Sequence, residues 1–180
     1  EKVLDAIFNL KGEYEIEEDK IKIELPPDRL DILFFNGLKR AIECYLGLDS
    51  GIKKINFNKA KIEVEKNEVR ARKYFACFVV RNLKNVNIKD IILFQEFLHS
   101  FLGKDRKYVA IGIHDLDKIE GKIIYKEALP TEKMVPLTYS NELTLKEILE
   151  ITDKGRKYGN LIENFEKYPA IYDEKGIISF

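Results

Sequence analysis

The segment with the densest set of chemically capable side chains runs over residues 106–119. Its apolar part, 108–113, predicts a buried strand that ends in His114 and Asp115. Side chains at strand ends often contact ligands, and Gly112 would let a ligand or another backbone approach closely. His114 and Asp115 could then act as polar anchors or as an acid–base pair. The alternative is an ordinary strand-to-turn transition with solvated charges, which composition alone favours.

A metal site at His114, Asp115 and Asp117 is conceivable from the residue types. Adjacent residues on a strand point to opposite faces, so His114 and Asp115 cannot easily share one ion. Because no third ligand with a suitable spacing is present, the sequence predicts no metal site.

His99 and the two cysteines are the other reactive side chains of interest. His99 lies on a predicted helix and is expected at the helix surface or near its end, where a positive charge is mildly favoured. Catalysis by His99 is the less favoured alternative. Cys44 and Cys77 have no metal-type spacing, and both are expected to be buried or inert thiols of a reducing compartment.

Two groups of basic residues each precede a tyrosine, Tyr74 or Tyr108. The groups are Arg70, Arg72 and Lys73, and Lys104, Arg106 and Lys107. Basic and aromatic neighbours suit a phosphate backbone or a stacked base, whereas the alternative is two solvated loop edges in a lysine-rich protein. The formal net charge is zero, which argues against a domain-wide basic footprint but not against a local patch.

Several kinds of site have no counterpart in the sequence. It contains no phosphate-binding loop, no dinucleotide-binding glycine pattern and no serine-centred nucleophile elbow, so ATP chemistry cannot be located on it. No apolar run reaches the roughly 18 residues of a membrane span, and no signal peptide is evident. Apolar residues make up 45% of the chain, enough to bury a core.

Residues 1–57 form the first predicted region. Their pattern predicts a helix over 1–11, a half-buried strand over 21–25 and a second helix that ends at Gly47. Asn36 is the expected cap of the second helix. The polar stretch 49–61 is the expected boundary to the rest of the chain.

Residues 58–180 form the second predicted region. Strands are predicted over 62–64, 74–80, 108–113, 122–126 and 177–180. Helices are predicted over 88–102, 144–151 and 155–167, with Asn87 as a cap and a capping box from Thr144 to Glu147. Residues 173–176 are a predicted turn before the last strand.

This order of elements predicts an α+β fold, in which a small helix-and-strand N-terminal domain precedes a mixed-sheet α/β domain. The first helix has no cap before it, and the last strand has no terminating signal. Both ends therefore indicate a chain cut from a longer one.

Several segments resemble phenylalanine–tRNA ligase beta subunits of the archaeal and eukaryotic type. The most specific is 106–119, RKYVAIGIHDLDKI, and 28–47 and 95–99 are also similar to family segments. Leu30 stands where the family usually has proline, and the pair Phe34 and Phe35 is atypical as well. Further similar segments follow in family order at 135–137, 147–149, 154–155 and 168–180. The resemblance covers nearly the whole chain.

The resemblance implies a role in translation. In the family, the alpha subunit charges tRNA with phenylalanine, using ATP and magnesium, and the beta subunit carries an editing domain that hydrolyses tyrosine misattached to that tRNA. The implied partners are phenylalanine-specific tRNA and a catalytic alpha subunit, in a heterotetramer of two alpha and two beta chains. The implied location is the cytoplasm, and no membrane is an implied partner. Residues 58–180 would be the editing domain without its C-terminal part, and no cofactor is implied for this stretch itself.

The resemblance also implies site residues. Gly112, His114, Ile177 and Ser179 are the expected lining of the editing pocket, and Ile177 matches a pocket-wall position where archaeal relatives often have leucine. Arg106 is the expected contact to the 3′ end of the tRNA. The catalytic residues are unknown and are expected beyond residue 180.

Two other functions remain open at this point. The region could be a non-catalytic module that binds tRNA or docks the alpha subunit through residues 1–57. It could also be a free-standing editing factor that carries the same domain.

Overall fold

The computed structural model describes residues 1–84 and 86–180. These residues form two compact units: unit 1 comprises Glu1–Phe57 and Lys84–Lys104, and unit 2 comprises Asn58–Leu83 and Asp105–Phe180. Helices and sheets occur in one chain with mixed connections, which confirms the predicted α+β class. None of the helices in the described part of the chain has the length and apolar character that a membrane crossing requires.

Unit 1 contains three helices and a hairpin. They are α1 (Lys2–Asn9), β1 (Glu13–Glu17), β2 (Lys20–Glu24), α2 (Phe35–Tyr45) and α3 (Ile88–Ser100). The predicted helix at the start and the strand over 21–25 are confirmed, and β1 pairs antiparallel with β2. The expectation that this strand is half-buried is wrong for most of its length, because four of the five residues of β2 are exposed.

The start of α2 differs from the prediction that Asn36 caps it. Phe34 is the N-cap, with extended backbone, and Asn36 lies inside the first turn. The Asn36 side chain instead donates a hydrogen bond to the Asp90 carboxylate at 2.9 Å. The Asn36 side chain therefore bonds to a residue of α3 and does not cap its own helix. Gly47 follows α2 with φ +72°, as expected for a residue that ends a helix.

The helix α3 lies where the sequence predicts it, but the face of the helix that is buried differs from the expectation. Asn87 caps it by accepting a hydrogen bond from the Lys89 backbone N–H at 3.1 Å. His99 lies in the last turn of α3, as one of the two expectations had it, but it is only 1% exposed, so the alternative expectation of a surface position is wrong. Ile92, in contrast, is 46% exposed. Periodicity alone did not show which face of α3 packs on the turn Leu30–Ile32, one of the elements that α3 contacts in unit 1.

Unit 2 is built on a four-stranded sheet of order β3-β4-β7-β8. Its strands are β3 (Val64–Lys66), β4 (Ile123–Ala128), β7 (Tyr168–Asp173) and β8 (Gly176–Ser179). The pair β3 and β4 is parallel, and the other pairs are antiparallel. A two-stranded sheet, β5 (Lys133–Met134) and β6 (Leu143–Thr144), leads into α4 (Leu145–Ile151) and α5 (Asp153–Tyr158). The helix predicted over 155–167 corresponds to α5, which is shorter than predicted and begins two residues earlier.

The core of unit 2 lies between the sheet and α4. Its buried members are Ala128, Leu145, Ile148, Ile162, Tyr168, Ala170 and Tyr172. Leu145 is fully buried at the start of α4. This core fixes the position of the β7–β8 hairpin, which carries two of the predicted pocket residues.

The segments 74–80 and 108–113 are not strands in the structure, so both predictions are wrong. Tyr74 is 95% exposed and Tyr108 68% exposed. An apolar run becomes a strand only where a neighbouring ladder accepts its backbone hydrogen bonds, and the four-stranded sheet includes neither segment. Cys77 lies in the first segment and is exposed, as is Cys44 on α2. The expectation that the cysteines are buried is therefore wrong, and the alternative that they are inert thiols stays a prediction.

The capping box at the start of α4 is present as predicted. The Glu147 backbone N–H donates to the Thr144 hydroxyl oxygen at 3.2 Å, and the Thr144 backbone N–H donates to the Glu147 carboxylate at 2.8 Å. The two residues therefore satisfy each other's backbone donors at the helix end.

Thr144→Ala is expected to lower the free energy of unfolding by about 1 kcal/mol, because the Glu147 N–H loses its acceptor. Urea unfolding followed by circular dichroism measures this change. Lys146→Ala, an exposed position in the same turn, is the matched control and should change stability by less than about 0.5 kcal/mol. An equal loss in both variants would contradict the capping role.

Candidate functional site

The hairpin of β7 and β8 carries two of the predicted pocket residues. Ile177 pairs with Tyr172, and Ser179 pairs with Ile171 across a bulge. The extra residue of this bulge lies between Ile177 and Ser179 on β8, so the two-residue alternation of a regular strand does not place them on the same face. Ile177 packs against the core of unit 2, and both residues are half-buried.

Tyr172 supplies a buried polar group beside Ile177. Its hydroxyl donates to the Glu132 carboxylate at 2.8 Å, and the Lys126 ammonium lies 4.1 Å from the ring centroid. Burial, together with the hydrogen bond and negative charge of Glu132, raises the pKa of Tyr172 well above its ordinary value. The phenol therefore stays protonated and keeps donating at neutral pH.

Asp173 holds the turn of the hairpin. Its carboxylate accepts backbone N–H groups from Lys175 at 2.8 Å, Gly176 at 3.2 Å and Glu120 at 3.1 Å. Burial acts to raise the pKa of Asp173, but the three hydrogen bonds and the Lys175 charge outweigh it, so the pKa is below its ordinary value. The bond to Glu120 ties the hairpin to the end of the segment 106–119.

Gly112 and His114 lie in that segment, and both are exposed. A Cβ atom added at Gly112 would be 3.1 Å from the His114 imidazole Nε2. A larger residue at position 112 would therefore crowd the imidazole, whereas glycine leaves the space beside the imidazole open. The structure thus brings Gly112 and His114 together, while Ile177 and Ser179 both lie on β8.

Asp115 has a structural task in the turn Leu116–Lys118. Its carboxylate accepts the Asp117 backbone N–H at 3.2 Å and caps this turn. Asp115 therefore acts as a turn cap, which is a local alternative to the predicted acid–base pair with His114. Among residues 1–84 and 86–180, the structure contains no group of three side chains that could hold a metal ion.

Arg106, the predicted tRNA contact, lies against an aromatic residue that the sequence did not single out. Its guanidinium carbon is 4.8 Å from the centroid of the Tyr158 ring. The Arg72 guanidinium donates to the Arg106 carbonyl, and the Tyr125 hydroxyl donates to the Arg72 carbonyl at 2.8 Å. Phe75 stacks on Tyr125 at 4.5 Å, so a chain of contacts leads from the sheet to Arg106.

Two lysines of α5 also approach Tyr158. The ammonium of Lys157 is 5.1 Å from the ring centroid and that of Lys154 is 5.8 Å away. Burial acts to raise the pKa of Tyr158, but hydrogen bonds and positive charge from Lys157 and Arg106 outweigh it and lower the pKa. The sequence signal for this cluster was available, because basic residues precede Tyr158 just as they precede Tyr74 and Tyr108.

Two cavities lie elsewhere. In unit 2, a cavity of about 30 Å³, enough for about one water molecule, is lined by Arg70, Glu127, Phe165, Glu166 and Lys167. In unit 1, an open depression of about 510 Å³ is lined by Phe8, Lys11, Gly12, Glu13 and Tyr14. None of the predicted site residues lines either cavity.

Known proteins similar to this chain agree on one family, although a scan against protein-family models found no match. A "Phenylalanine--tRNA ligase beta subunit" of Saccharolobus islandicus is 43% identical over 178 residues, which is 98% of this chain and 32% of that protein. One from Methanosphaera stadtmanae is 39% identical over 184 residues, covering 99% of this chain and 33% of that protein. The chain thus spans about a third of the length of these curated relatives.

A solved structure gives the same assignment. The crystal structure of an N-terminal fragment of the phenylalanyl-tRNA synthetase beta-subunit from Pyrococcus horikoshii matches with a TM-score of 0.80 at 33% identity. The match covers 97% of this chain and 54% of that chain. Sequence and fold together show that the chain belongs to the family of phenylalanine–tRNA ligase beta subunits.

Proposed function

We propose that this chain is part of the editing region of a phenylalanine–tRNA ligase beta subunit. In this proposal it forms one wall of a pocket that hydrolyses tyrosine wrongly attached to phenylalanine-specific tRNA. The observation that carries the proposal is the similarity in sequence and fold to beta subunits over nearly the entire chain. The segment 106–119, which the sequence marked as the most specific, lies within that similarity.

The complete enzyme, in the same proposal, charges the tRNA with phenylalanine. It uses ATP and magnesium in its alpha subunit and works in the cytoplasm as two alpha and two beta chains. This chain would contribute tRNA contacts and pocket residues, whereas the catalytic groups of editing would come from other parts of the protein.

An editing pocket needs polar groups that recognise one hydroxyl. A largely apolar synthetic pocket cannot strongly reject a substrate that merely adds a hydroxyl, so a second sieve is useful. A pocket with buried donors and acceptors favours tyrosine, because phenylalanine would leave these groups unpaired at about 1–3 kcal/mol each. The half-buried Ser179 hydroxyl and the exposed His114 imidazole are of the right chemical types.

The arrangement around Asp173 supports this assignment. Asp173 ties the turn that precedes Ile177 and Ser179 to Glu120, which follows the segment with Gly112 and His114. The Tyr172 hydroxyl is already bonded to Glu132 and thereby stiffens the strand next to Ile177. Groups that recognise a substrate need such support to hold their geometry.

His114→Ala and Gly112→Ala, introduced into the intact enzyme, are expected to slow hydrolysis of tyrosyl-tRNA by about tenfold, which corresponds to one lost polar contact. His114→Ala removes the imidazole, and Gly112→Ala crowds it. Release of labelled tyrosine from mischarged phenylalanine-specific tRNA measures the rate, and the charging rate with phenylalanine should not change. Lys118→Ala, an exposed residue of the same segment, is the control. Wild-type rates in both pocket variants would refute the pocket assignment.

A non-catalytic tRNA-binding or assembly module is the second candidate, and one observation favours it. Arg106, Lys154 and Lys157 surround Tyr158, which is an arrangement suited to nucleic acid rather than to hydrolysis. An intact beta subunit that binds the tRNA but releases no tyrosine from it would support this second function over the first.

A further inference from the structure

The hairpin of β1 and β2 in unit 1 has one apolar face and one charged face. Tyr14 pairs with Ile23, and Ile16 pairs with Ile21, in one continuous register. Because residues two apart on a strand share a face, these four apolar residues lie on the same side of the hairpin. The residues that alternate with them are charged and lie on the other side: Glu13, Glu15, Glu17, Lys20, Lys22 and Glu24.

Most of the apolar face is open to solvent. Ile16 is 63% exposed, Ile21 48% and Tyr14 40%. Phe8 of α1 is 72% exposed and lines the same open depression as Tyr14. These four residues are called the hairpin face below. Together they present roughly 400 Å² of apolar side-chain surface, which is the size of surface patch that marks interaction sites.

Covering this face would stabilise the hairpin. A two-stranded hairpin is at best marginally stable in water, and packing of its apolar face against another element adds stability. The helix α1 contacts β1, but Ile16 and Ile21 remain exposed. A partner that covers these two side chains would therefore remove apolar surface from water and support the strand pairing at once.

The hairpin is acidic. Residues 13–24 contain six acidic residues and two lysines, which gives a formal charge of −4. The ammonium of Lys22 already lies within 3.5 Å of two carboxylates. Glu13 lines the depression beside the hairpin face, as does Lys11, whose ammonium lies 3.2 Å from the Asp28 carboxylate. An incoming partner therefore meets apolar side chains in a negative environment.

This charge and the size of the face distinguish between occupants. Phosphates of nucleic acid and anionic lipid head groups would be repelled. A second copy of the chain would bring the same negative charge to the contact. A surface of roughly 400 Å² is about half of what each partner buries in a standard interface, so it suits one transient helix rather than a permanent subunit. A helix with an apolar stripe flanked by lysines and arginines fits both the face and its charge.

We infer that the hairpin face is a docking site for a basic amphipathic helix of a protein outside the enzyme. The apolar stripe of that helix packs on Ile16 and Ile21, and its basic side chains lie near the carboxylates of the hairpin. The inference goes beyond the proposed function and does not depend on it, because the hairpin face belongs to unit 1 and the predicted pocket residues belong to unit 2.

The test measures binding of a fluorescein-labelled peptide to the complete enzyme by fluorescence anisotropy. The peptide has about 14 residues of leucine and lysine, with the leucines on one face of a helix. Ile16→Thr keeps a β-branched residue in the strand and should weaken binding about fivefold, because apolar contact is lost. Lys20→Thr introduces the same residue on the opposite face and should bind the peptide at least as tightly as the wild type.

Phe8→Ala tests the same face outside the strands. Phe8 lies on α1, so its replacement leaves the pairing of β1 and β2 intact and should still weaken binding about fivefold. A loss of affinity in both Ile16→Thr and Phe8→Ala therefore cannot come from a disrupted hairpin. Equal affinity of Ile16→Thr, Phe8→Ala and Lys20→Thr would overturn the inference.

Two further peptides test the chemistry of the partner. A peptide with glutamate in place of every lysine should bind at least tenfold more weakly, and so should a scrambled leucine–lysine peptide without an apolar face. Raising the salt concentration from about 0.05 M to about 0.5 M should weaken binding of the original peptide severalfold, because the charges are screened. Tight binding of the glutamate peptide would overturn the inference.

Another part of the enzyme, or a second copy of it, could cover the face instead, and labelling distinguishes these cases. Ile16→Cys and Lys20→Cys enzymes are treated with a maleimide, and mass spectrometry reads the modification at each position. Both should be labelled in the complete enzyme. Labelling of Lys20→Cys alone would show that the face is already covered, and a lower mass of Ile16→Thr in ultracentrifugation would show self-association. Either result would overturn the inference.

Editing is measured on the same variants as tyrosine release from mischarged tRNA, and it should not change. Peptide binding without tyrosine release in the wild type would support this inference and contradict the editing proposal. Tyrosine release without peptide binding would do the reverse.

Discussion

Replacing Gly155 by alanine is expected to lower the free energy of unfolding of unit 2 by about 3 kcal/mol, the upper range for overpacking. An added Cβ would overlap the carbonyl oxygen of Ile148 and lie 2.6 Å from the Leu149 Cα and 2.7 Å from its carbonyl oxygen. These are backbone atoms of α4, so no side-chain rotation can relieve the overlap. The two helices would have to separate, and α4 would lose part of its packing on the core.

Gly159→Ala is the matched control for this prediction. Gly159 is also buried and has negative φ, but its added Cβ would lie 3.4 Å or more from the side-chain atoms of Leu149. Its effect should be neutral or slightly stabilising, since alanine reduces the entropy of the unfolded chain. Hydrogen exchange of peptides from α4 and α5, together with urea unfolding, measures both variants. Similar stability in the two would show that α4 and α5 are not packed as described.

Asp173→Asn is expected to cost about 2 kcal/mol, because the amide nitrogen cannot accept the backbone donors that one carboxylate oxygen now accepts. Asp173 is 7% exposed, so water cannot replace the lost acceptor fully. The donors left without an acceptor would belong to Glu120 or to Lys175 and Gly176, depending on the orientation of the amide.

The effect of Asp173 depends on pH in a defined direction. Its pKa is depressed in the folded protein, so it stabilises the fold fully above its unfolded-state pKa of about 3.9. That contribution is lost as the pH falls towards the folded-state pKa. The stability difference between wild type and Asp173→Asn should therefore be constant from about pH 7 to 5 and should narrow below about pH 4.

Urea unfolding at a series of pH values checks this dependence. Glu174→Gln removes the same charge from the next residue, which is exposed, and serves as the control with a small effect at every pH. A difference between wild type and Asp173→Asn that stayed constant down to about pH 3 would exclude the proposed role of the carboxylate in the turn.

Elements with a local signal were predictable from the sequence. The capping residues Asn87 and Thr144 start helices where the sequence placed them, and the turn before the last strand lies at 173–176. Each of these signals depends on side chains and backbone within a few residues, so no tertiary information was needed.

Elements whose state depends on distant partners were not predictable. The apolar run 74–80 has the composition of a strand, but it does not pair with any strand of the four-stranded sheet. Asn36 is a residue type that often caps helices, but its side chain donates a hydrogen bond to Asp90 on another helix. For His99, periodicity could not decide which face of α3 is buried.

The candidate site divides in the same way. Arg106 stood out because of its basic neighbours, but its contact with Tyr158 brings together distant parts of the chain. The roles of Gly112, His114, Ile177 and Ser179 as pocket residues stay predictions until tyrosine release is measured. Glu120 could not have been identified as a partner of Asp173, since its contribution is a backbone N–H that any residue type supplies.

The interleaved composition of the two units has a consequence for the order of folding during synthesis. Unit 1 lacks α3 until residue 104 has been made, and unit 2 begins at residue 58 but is interrupted until residue 105. Synthesis of the first 57 residues therefore leaves a nascent chain without the helix that carries the buried His99. No single cut of the chain separates the two units, so any continuous fragment that contains one complete unit also contains part of the other.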